Sequence, residues 1–192
     1  MTALSLKFEP VLQISSEEFY QICQENPDLK LERSAEGVLI IMPPTGGETG
    51  KRNINISGQL WLWNEQYQLG EAFDSSTGFS LPNGADRSPD ASWIEKSRWE
   101  SLNPSQRESF IPLCPDFVIE LLSSTDSLKK TQEKMQEYLD NGCRLGWLIN
   151  RKKQEVEIYR SGKEVEILSS PQTLSGEDVL LGFILNLAKI WS

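Results

Sequence analysis

The sequence predicts a mixed α/β (α+β) fold: a central mixed β-sheet flanked by helices, preceded by an N-terminal helix and hairpin. Three observations carry that prediction. Two segments, near residues 48–70 and 126–142, have helical periodicity, and short apolar runs of strand length lie between and after them. The chain has 192 residues with 38% hydrophobic and 24% charged content, which suits one buried core. No repeat, low-complexity tract or linker divides it, so a single domain over residues 1–192 is expected.

Ser15 to Glu18 has capping-box spacing, and Phe19, Ile22 and Cys23 follow at helical intervals, so a short helix should reach about Glu25, before Pro27. Residues 29–33 and 37–42 read as a hairpin that ends in the loop Pro43-Pro44-Thr45-Gly46-Gly47. From Glu48 the apolar stripe Ile56, Leu60, Trp63 and Tyr67 marks an amphipathic helix that closes near Gly70. Strands are expected at 73–81, 90–95 and 116–122. The polar stretch 96–115, with Pro104 and Pro112, reads as a loop holding one short helical turn. A second long helix starts at Thr125 or Asp126, turns Leu128, Met135, Tyr138 and Leu139 inward, and stops at Asn141-Gly142. Residues 145–150, 155–159 and 164–168 read as a closing meander.

Composition removes whole classes of chemistry. Lys and Arg number 19 against 28 Asp and Glu, a net charge of −9, and there is no histidine. A Ser-His-Asp triad, a Cys-His pair, an HExxH site and His-ligated zinc are therefore excluded. Cys23, Cys114 and Cys143 are widely spaced without any CxxC, which argues for reduced thiols and a cytoplasmic location. The first ten residues lack the apolar core of an export signal, and the apolar stretch 179–191 is broken by Gly182, Asn186 and Lys189, so no membrane segment is expected. An acidic chain is a poor start for a nucleic-acid binder. Contacts to phosphates would have to come from Lys51, Arg52, Lys129, Lys130 and Lys134 gathered around one cleft.

The chemistry left open to such a chain is a hard divalent cation held by carboxylates, with a lysine nearby. Glu120 points there, because it interrupts the apolar run Phe117-Val118-Ile119 and Leu121-Leu122 of a strand that should be buried on both faces. A lone buried carboxylate costs several kcal/mol or is driven to take up a proton, and a shared cation reverses that penalty. Asp116 lies on the same strand face about 13 Å away at roughly 3.3 Å per residue, too far to share an ion, so it reads better as a strand-start residue. Asp90, heading the neighbouring strand, is the natural partner. The plainer alternative puts Glu120 at a sheet edge, bridged to a lysine. On the following helix Lys130, Lys134 and Tyr138 share a face, and Lys134 lies nearest the apolar boundary. Glu48 begins the first long helix, where the helix dipole favours an acid whatever its role. Gly46-Gly47 ahead of it lacks a P-loop continuation.

Several stretches together carry a family resemblance: Met42-Pro-Pro-Thr-Gly-Gly-Glu-Thr-Gly50, Phe73-Asp-Ser-Ser-Thr-Gly-Phe79, Arg87-Ser-Pro-Asp-Ala-Ser-Trp93, Cys114-Pro-Asp-Phe-Val-Ile-Glu-Leu-Leu-Ser-Ser124, and Lys134-Met-Gln-Glu-Tyr-Leu-Asp-Asn-Gly142 running into Gly146-Trp-Leu-Ile149. The sequence resembles the Uma2 family, restriction-endonuclease-like proteins of the PD-(D/E)xK nuclease superfamily. The resemblance implies a restriction-endonuclease-like core and a metal-dependent endodeoxyribonuclease using Mg²⁺ or Mn²⁺. It implies Asp90, Glu120 and the backbone carbonyl of Leu121 as metal ligands, with Lys134 as the catalytic cation and Glu48 as an acid from the first core helix. Leu122 stands where the superfamily pattern has a lysine, so Lys134 would supply that charge from the helix. DNA is the implied substrate and a homodimer the expected assembly. Two other readings stand beside this one: a non-catalytic nucleic-acid-binding or interaction protein on a degenerate nuclease fold, and a purely structural Glu120–Lys134 ion pair.

Overall fold

The computed structural model describes residues 3–7, 14–123 and 126–192. The first part of the chain forms β1 (Leu4–Lys7), α1 (Ser16–Glu25), β2 (Lys30–Arg33), β3 (Val38–Met42), α2 (Gly47–Tyr67), β4 (Gly70–Asp74), β5 (Phe79–Ser80), β6 (Asp86–Arg87) and β7 (Ala91–Glu95). Then come α3 (Lys96–Glu100), α4 (Pro104–Glu108), β8 (Phe117–Leu121), α5 (Leu128–Asp140), β9 (Leu145–Asn150), β10 (Glu155–Arg160), β11 (Glu166–Ser169), β12 (Thr173–Ser175), β13 (Ile184–Asn186) and α6 (Ala188–Trp191). A six-stranded mixed sheet, ordered β11-β10-β9-β8-β7-β4, is flanked by helices as the sequence predicts. The N-terminal hairpin joins a second sheet ordered β1-β3-β2-β6-β5, and β12 pairs with β13.

Local signals set many of these elements. The Ser15 hydroxyl accepts from the Glu18 N–H while the Ser15 N–H donates to the Glu18 carboxylate, so the capping box starts α1 where its spacing predicts. The stretch 73–81 is two strands rather than one. Asp74 accepts hydrogen bonds from the N–H and hydroxyl of Ser76, and this turn takes the chain from β4 in the central sheet to β5 in the second. The segment 96–115 holds two short helices instead of one turn, the second capped by Asn103 with Pro104 at its first position. Ser127 caps α5; the Thr125 start considered above lies outside the described residues. The C-terminal hairpin and α6 have no counterpart in the sequence expectation.

Two apolar layers enclose the central sheet. Ile56, Leu60 and Trp63 of α2 pack with Trp93, Phe117, Ile119 and Phe183 on one side, and Met135 and Tyr138 of α5 pack with Val118 and Leu148 on the other. Strand alternation therefore sends Phe117, Ile119 and Leu121 towards α2, and Val118 and Glu120 towards α5. Strand β8 lies between β7 and β9 and is buried along its whole length, so Glu120 is not at a sheet edge. Strands β8 and β9 are parallel, and a parallel return needs a crossover, which α5 makes. Gly146 of β9 admits α5 closely, since a Cβ there would lie 2.5 Å from Met135 Cε. That approach sets the height of Lys134 above the sheet. Among the described residues no helix is long and apolar enough to cross a membrane.

Gly70 is the tightest glycine in the core. An added Cβ would overlap the Ile94 carbonyl oxygen and lie 2.6 Å from the Trp93 ring. Gly70→Ala should lower stability by about 1–3 kcal/mol through overpacking, read as a reduced urea midpoint at constant slope. A midpoint equal to wild type would contradict this packing.

Candidate active site

Strands β7 and β8 are antiparallel, with Ala91 opposite Ile119 and Ser92 opposite Val118. Extending that register by one residue sets Asp90 opposite Glu120 on the same face, where directly opposed residues have Cβ atoms about 5 Å apart. Asp90 Oδ2 accepts from the Leu121 N–H at 2.8 Å, and its Oδ1 accepts from Asn53 Nδ2 of α2 at 3.1 Å. Lys134 Nζ lies 2.8 Å from Glu120 Oε1 and 2.8 Å from Glu32 Oε1. One turn further along α5, the Tyr138 hydroxyl donates to Glu120 Oε1 at 3.0 Å. Asp90, Glu120 and Lys134, proposed from sequence, thus come together at the end of adjacent strands. Leu122 packs at the edge of the apolar layer under α5, and the cation comes from the helix.

Sequence reasoning missed Glu32, Asn53 and Arg87. Glu32 sits in β2 of the second sheet, 3% exposed, and also accepts from the Ser88 N–H at 3.0 Å and pairs with Arg87 at 3.4 Å. Arg87 in turn holds Glu137 at 2.6 Å. Lys-Leu-Glu-Arg reads as an ordinary half-exposed strand, and only the docking of the two sheets buries its acid. Asn53 borders the apolar stripe of α2, where a polar residue carries no particular signal.

Other candidates lie elsewhere. The Glu48 side chain is 71% exposed and pairs with Arg52 at 2.7 Å. Arg52 is itself buried, donating to the carbonyls of Ile190 and Ser192, so it anchors the C-terminal segment and does not join a phosphate-binding cleft. Lys51, Lys129 and Lys130 are exposed, Lys129 beside Glu133 at 3.8 Å, and of the basic residues expected around one cleft Lys134 is the one paired with the acids described here. Asp116 is held by Arg98 at 2.8 Å and by the Glu95 N–H at 2.8 Å, consistent with a strand-start role. A cleft of about 240 Å³ lies between α1 and β2, lined by Cys23, Lys30, Leu31, Ser88 and Phe110 among others and by none of Glu32, Asp90, Glu120 or Lys134.

Burial pushes the Asp90 carboxyl above its ordinary range, opposed by Lys30 and the Leu121 N–H. Burial likewise raises Glu120, with Lys134 opposing and Asp90 and Glu32 adding to the rise, to about 7. Glu32 is buried too, yet Lys134 and Arg87 outweigh that cost and keep it below its usual value. For Lys134 burial favours the neutral amine, but Glu120 and Glu32 prevail and hold it charged. Among the described residues Asn53 Oδ1 is buried with no hydrogen-bond partner, so one oxygen beside the acid pair is unclaimed by them. Among the described residues no group of three or more His, Cys, Asp or Glu side chains is arranged to hold a metal ion.

The class of protein is thus a mixed α/β fold with an acid pair and a helix lysine on adjoining elements of its central sheet. The Uma2 family profile, described as "Putative restriction endonuclease", matches residues 16–188, and the chain belongs to that family. A solved structure from Anabaena variabilis ATCC 29413, described as "a putative nuclease belonging to DUF820", shares the fold with a TM-score of 0.75 and 22% identity, over 93% of this chain and 97% of that one. No curated protein matches the sequence.

A carboxyl whose folded pKa is raised favours the fold fully below its unfolded pKa, near 4.5 for Glu120, and that contribution is lost as the pH rises through about 7. Against Glu120→Gln, wild type should therefore lose thermal stability between about pH 4.5 and 7, by at most about 3 kcal/mol. Parallel stability curves for the two proteins would refute the raised value.

Proposed function

We propose that this chain is a Mg²⁺- or Mn²⁺-dependent endodeoxyribonuclease acting as one domain, with Asp90, Glu120, the Leu121 carbonyl and Asn53 Oδ1 as the oxygens that hold the ion. The observation that carries this reading is the juxtaposition of Asp90 and Glu120 beside the unpartnered Asn53 oxygen. Around it, four acids, Glu32, Asp90, Glu120 and Glu137, face three cations, Arg87, Lys134 and Lys30, so full ionisation of the acids leaves an excess of negative charge. An oxygen-rich set with excess negative charge suits Mg²⁺, which takes one or two carboxylates and completes its shell with water. When bound, such an ion activates a water for attack and neutralises charge on the phosphodiester.

The chain's own groups do the rest. Lys134, kept protonated by Glu120 and Glu32, offers positive charge to the phosphate and serves as a cation rather than a base. Glu32, Arg87 and the Ser88 N–H fix its position. Lys30, whose charge acts on Asp90, is the residue this reading assigns to the nucleic-acid backbone. Glu48, in the first turn of the helix that carries Asn53, is exposed and paired with Arg52, and in this reading it is not one of the ion's ligands. A homodimer belongs to it as well, since two copies would present two sites to a duplex.

The alternative is a non-catalytic protein in which Glu32, Lys134 and Glu120 form a structural ion cluster. Lys134 bridges two acids directly, at 2.8 Å from each, which is the observation in its favour. Cleavage of supercoiled and single-stranded DNA with Mg²⁺ or Mn²⁺, alongside Mn²⁺-dependent thermal shifts, separates the two. Asp90→Asn, Glu120→Gln and Lys134→Met should each lose about 100-fold or more in cleavage rate, and the first two should lose the Mn²⁺ shift. Equal activity in all four proteins would expose a contaminant. A wild type with neither cleavage nor a metal shift would favour the structural cluster.

A further inference from the structure

Helix α2 turns an apolar stripe outward. Its buried arc is Arg52, Ile56, Leu60, Trp63 and Asn64. On the opposite arc Ile54 is 70% exposed, Trp61 56% and Leu62 53%. Monomeric proteins seldom leave large apolar side chains clustered in water. Gly58 lies at the centre of this stripe, and an added Cβ there would meet nothing within 4 Å. A mid-helix glycine costs about 1 kcal/mol relative to alanine, and nothing packed against it among the described residues requires it. A second backbone brought close to the helix would.

We propose that this face pairs with the same face of a second copy of the chain, α2 antiparallel to α2, with the two-fold axis passing at Gly58. The charges select that arrangement. Lys51 and Glu65 are both exposed and lie seven residues on either side of Gly58, within 20° of its direction on a helical wheel at 100° per residue. Antiparallel pairing about Gly58 sets Lys51 of each copy beside Glu65 of the other at both ends of a contact about 21 Å long. A parallel pair would set lysine against lysine and glutamate against glutamate. Ile54 and Trp61 lie on the same flank of the stripe, four residues before and three after its centre, so the operation packs Ile54 of one copy on Trp61 of the other. Leu62 packs on the Asn55 flank. The sequence is thus self-complementary about Gly58, as a two-fold interface requires. Hairpin β12–β13, tied to α2 by the reciprocal hydrogen bonds of Gln59 with Asn186, adds exposed Ile184 as rim. The surface is argued independently of the site's chemistry, and its test needs no nuclease activity.

Sedimentation equilibrium from about 1 to about 100 µM should show a monomer–dimer equilibrium in wild type. Trp61→Glu should be monomeric throughout. Lys51→Glu and Glu65→Lys should each weaken the dimer about tenfold or more, and the double variant Lys51→Glu/Glu65→Lys should restore it to within about threefold. Far-UV circular dichroism spectra of these surface variants should match wild type and show that each is folded, while melting temperatures of the dimer-breaking variants should not depend on concentration. In a Cys23→Ser background, Gly58→Cys should form an interchain disulfide, whereas Ile54→Cys, displaced from the axis, should not. A wild type monomeric at every concentration overturns the proposal. So does a dimer indifferent to Trp61→Glu, and so does a double swap that fails to recover.

Discussion

A carboxylate in the middle of the central sheet is the constraint around which the rest is arranged. Glu120 lies in a strand buried along its whole length. Left alone it would cost several kcal/mol or stay protonated through neutrality. Its surroundings supply a partial answer in Lys134 and Tyr138, and a further aggravation in Asp90 and Glu32. The balance leaves Glu120 neither stably ionised nor inert. Apolar packing would hold β8 equally well, so the strand's own stability does not account for an acid at this position.

That one constraint explains the placement of several elements. The parallel return from β8 to β9 brings α5 over the face that carries Glu120, and the helical period then delivers Lys134 and Tyr138 one turn apart above it. Strand β2, from the second sheet, adds Glu32 on the other side of the ammonium. The two sheets are thereby joined through a charge network that continues to Arg87 and Glu137. A lysine held between two acids loses side-chain freedom once rather than twice, which lowers the entropic cost of each pair.

How far this was legible in the sequence follows from the range of each signal. Glu120 stood out because a charge inside an apolar run violates a local pattern, and Asp90 followed because strands pair with period two. Lys134 was readable from the helical face it shares with Tyr138. Glu32 was invisible, since Lys30-Leu31-Glu32-Arg33 obeys every rule for an exposed strand and its burial depends on a sheet-to-sheet contact. Arg52 misled for the converse reason: its sequence neighbourhood is basic and polar, while its guanidinium is taken up by carbonyls near the far end of the chain. The break between β4 and β5 rests on a side-chain turn at Asp74 that strand propensity ignores.

The net charge of −9 looks different once its members are placed. Asp86, Asp116, Glu32 and Glu120 are buried and engaged by arginine or lysine, so they contribute little to the field that a polyanion meets at the surface. The overall count is therefore a weak argument against nucleic acid, and the local arrangement decides. Helix α2 connects that arrangement to the outer surface. Asn53 holds Asp90 on one flank, Ile56 and Leu60 grip the sheet, and Ile54 lies next in sequence on the solvent side. A rigid helix cannot tilt at its outer face without carrying Asn53 with it, so any contact that fixes α2 from outside also fixes the amide that orients Asp90.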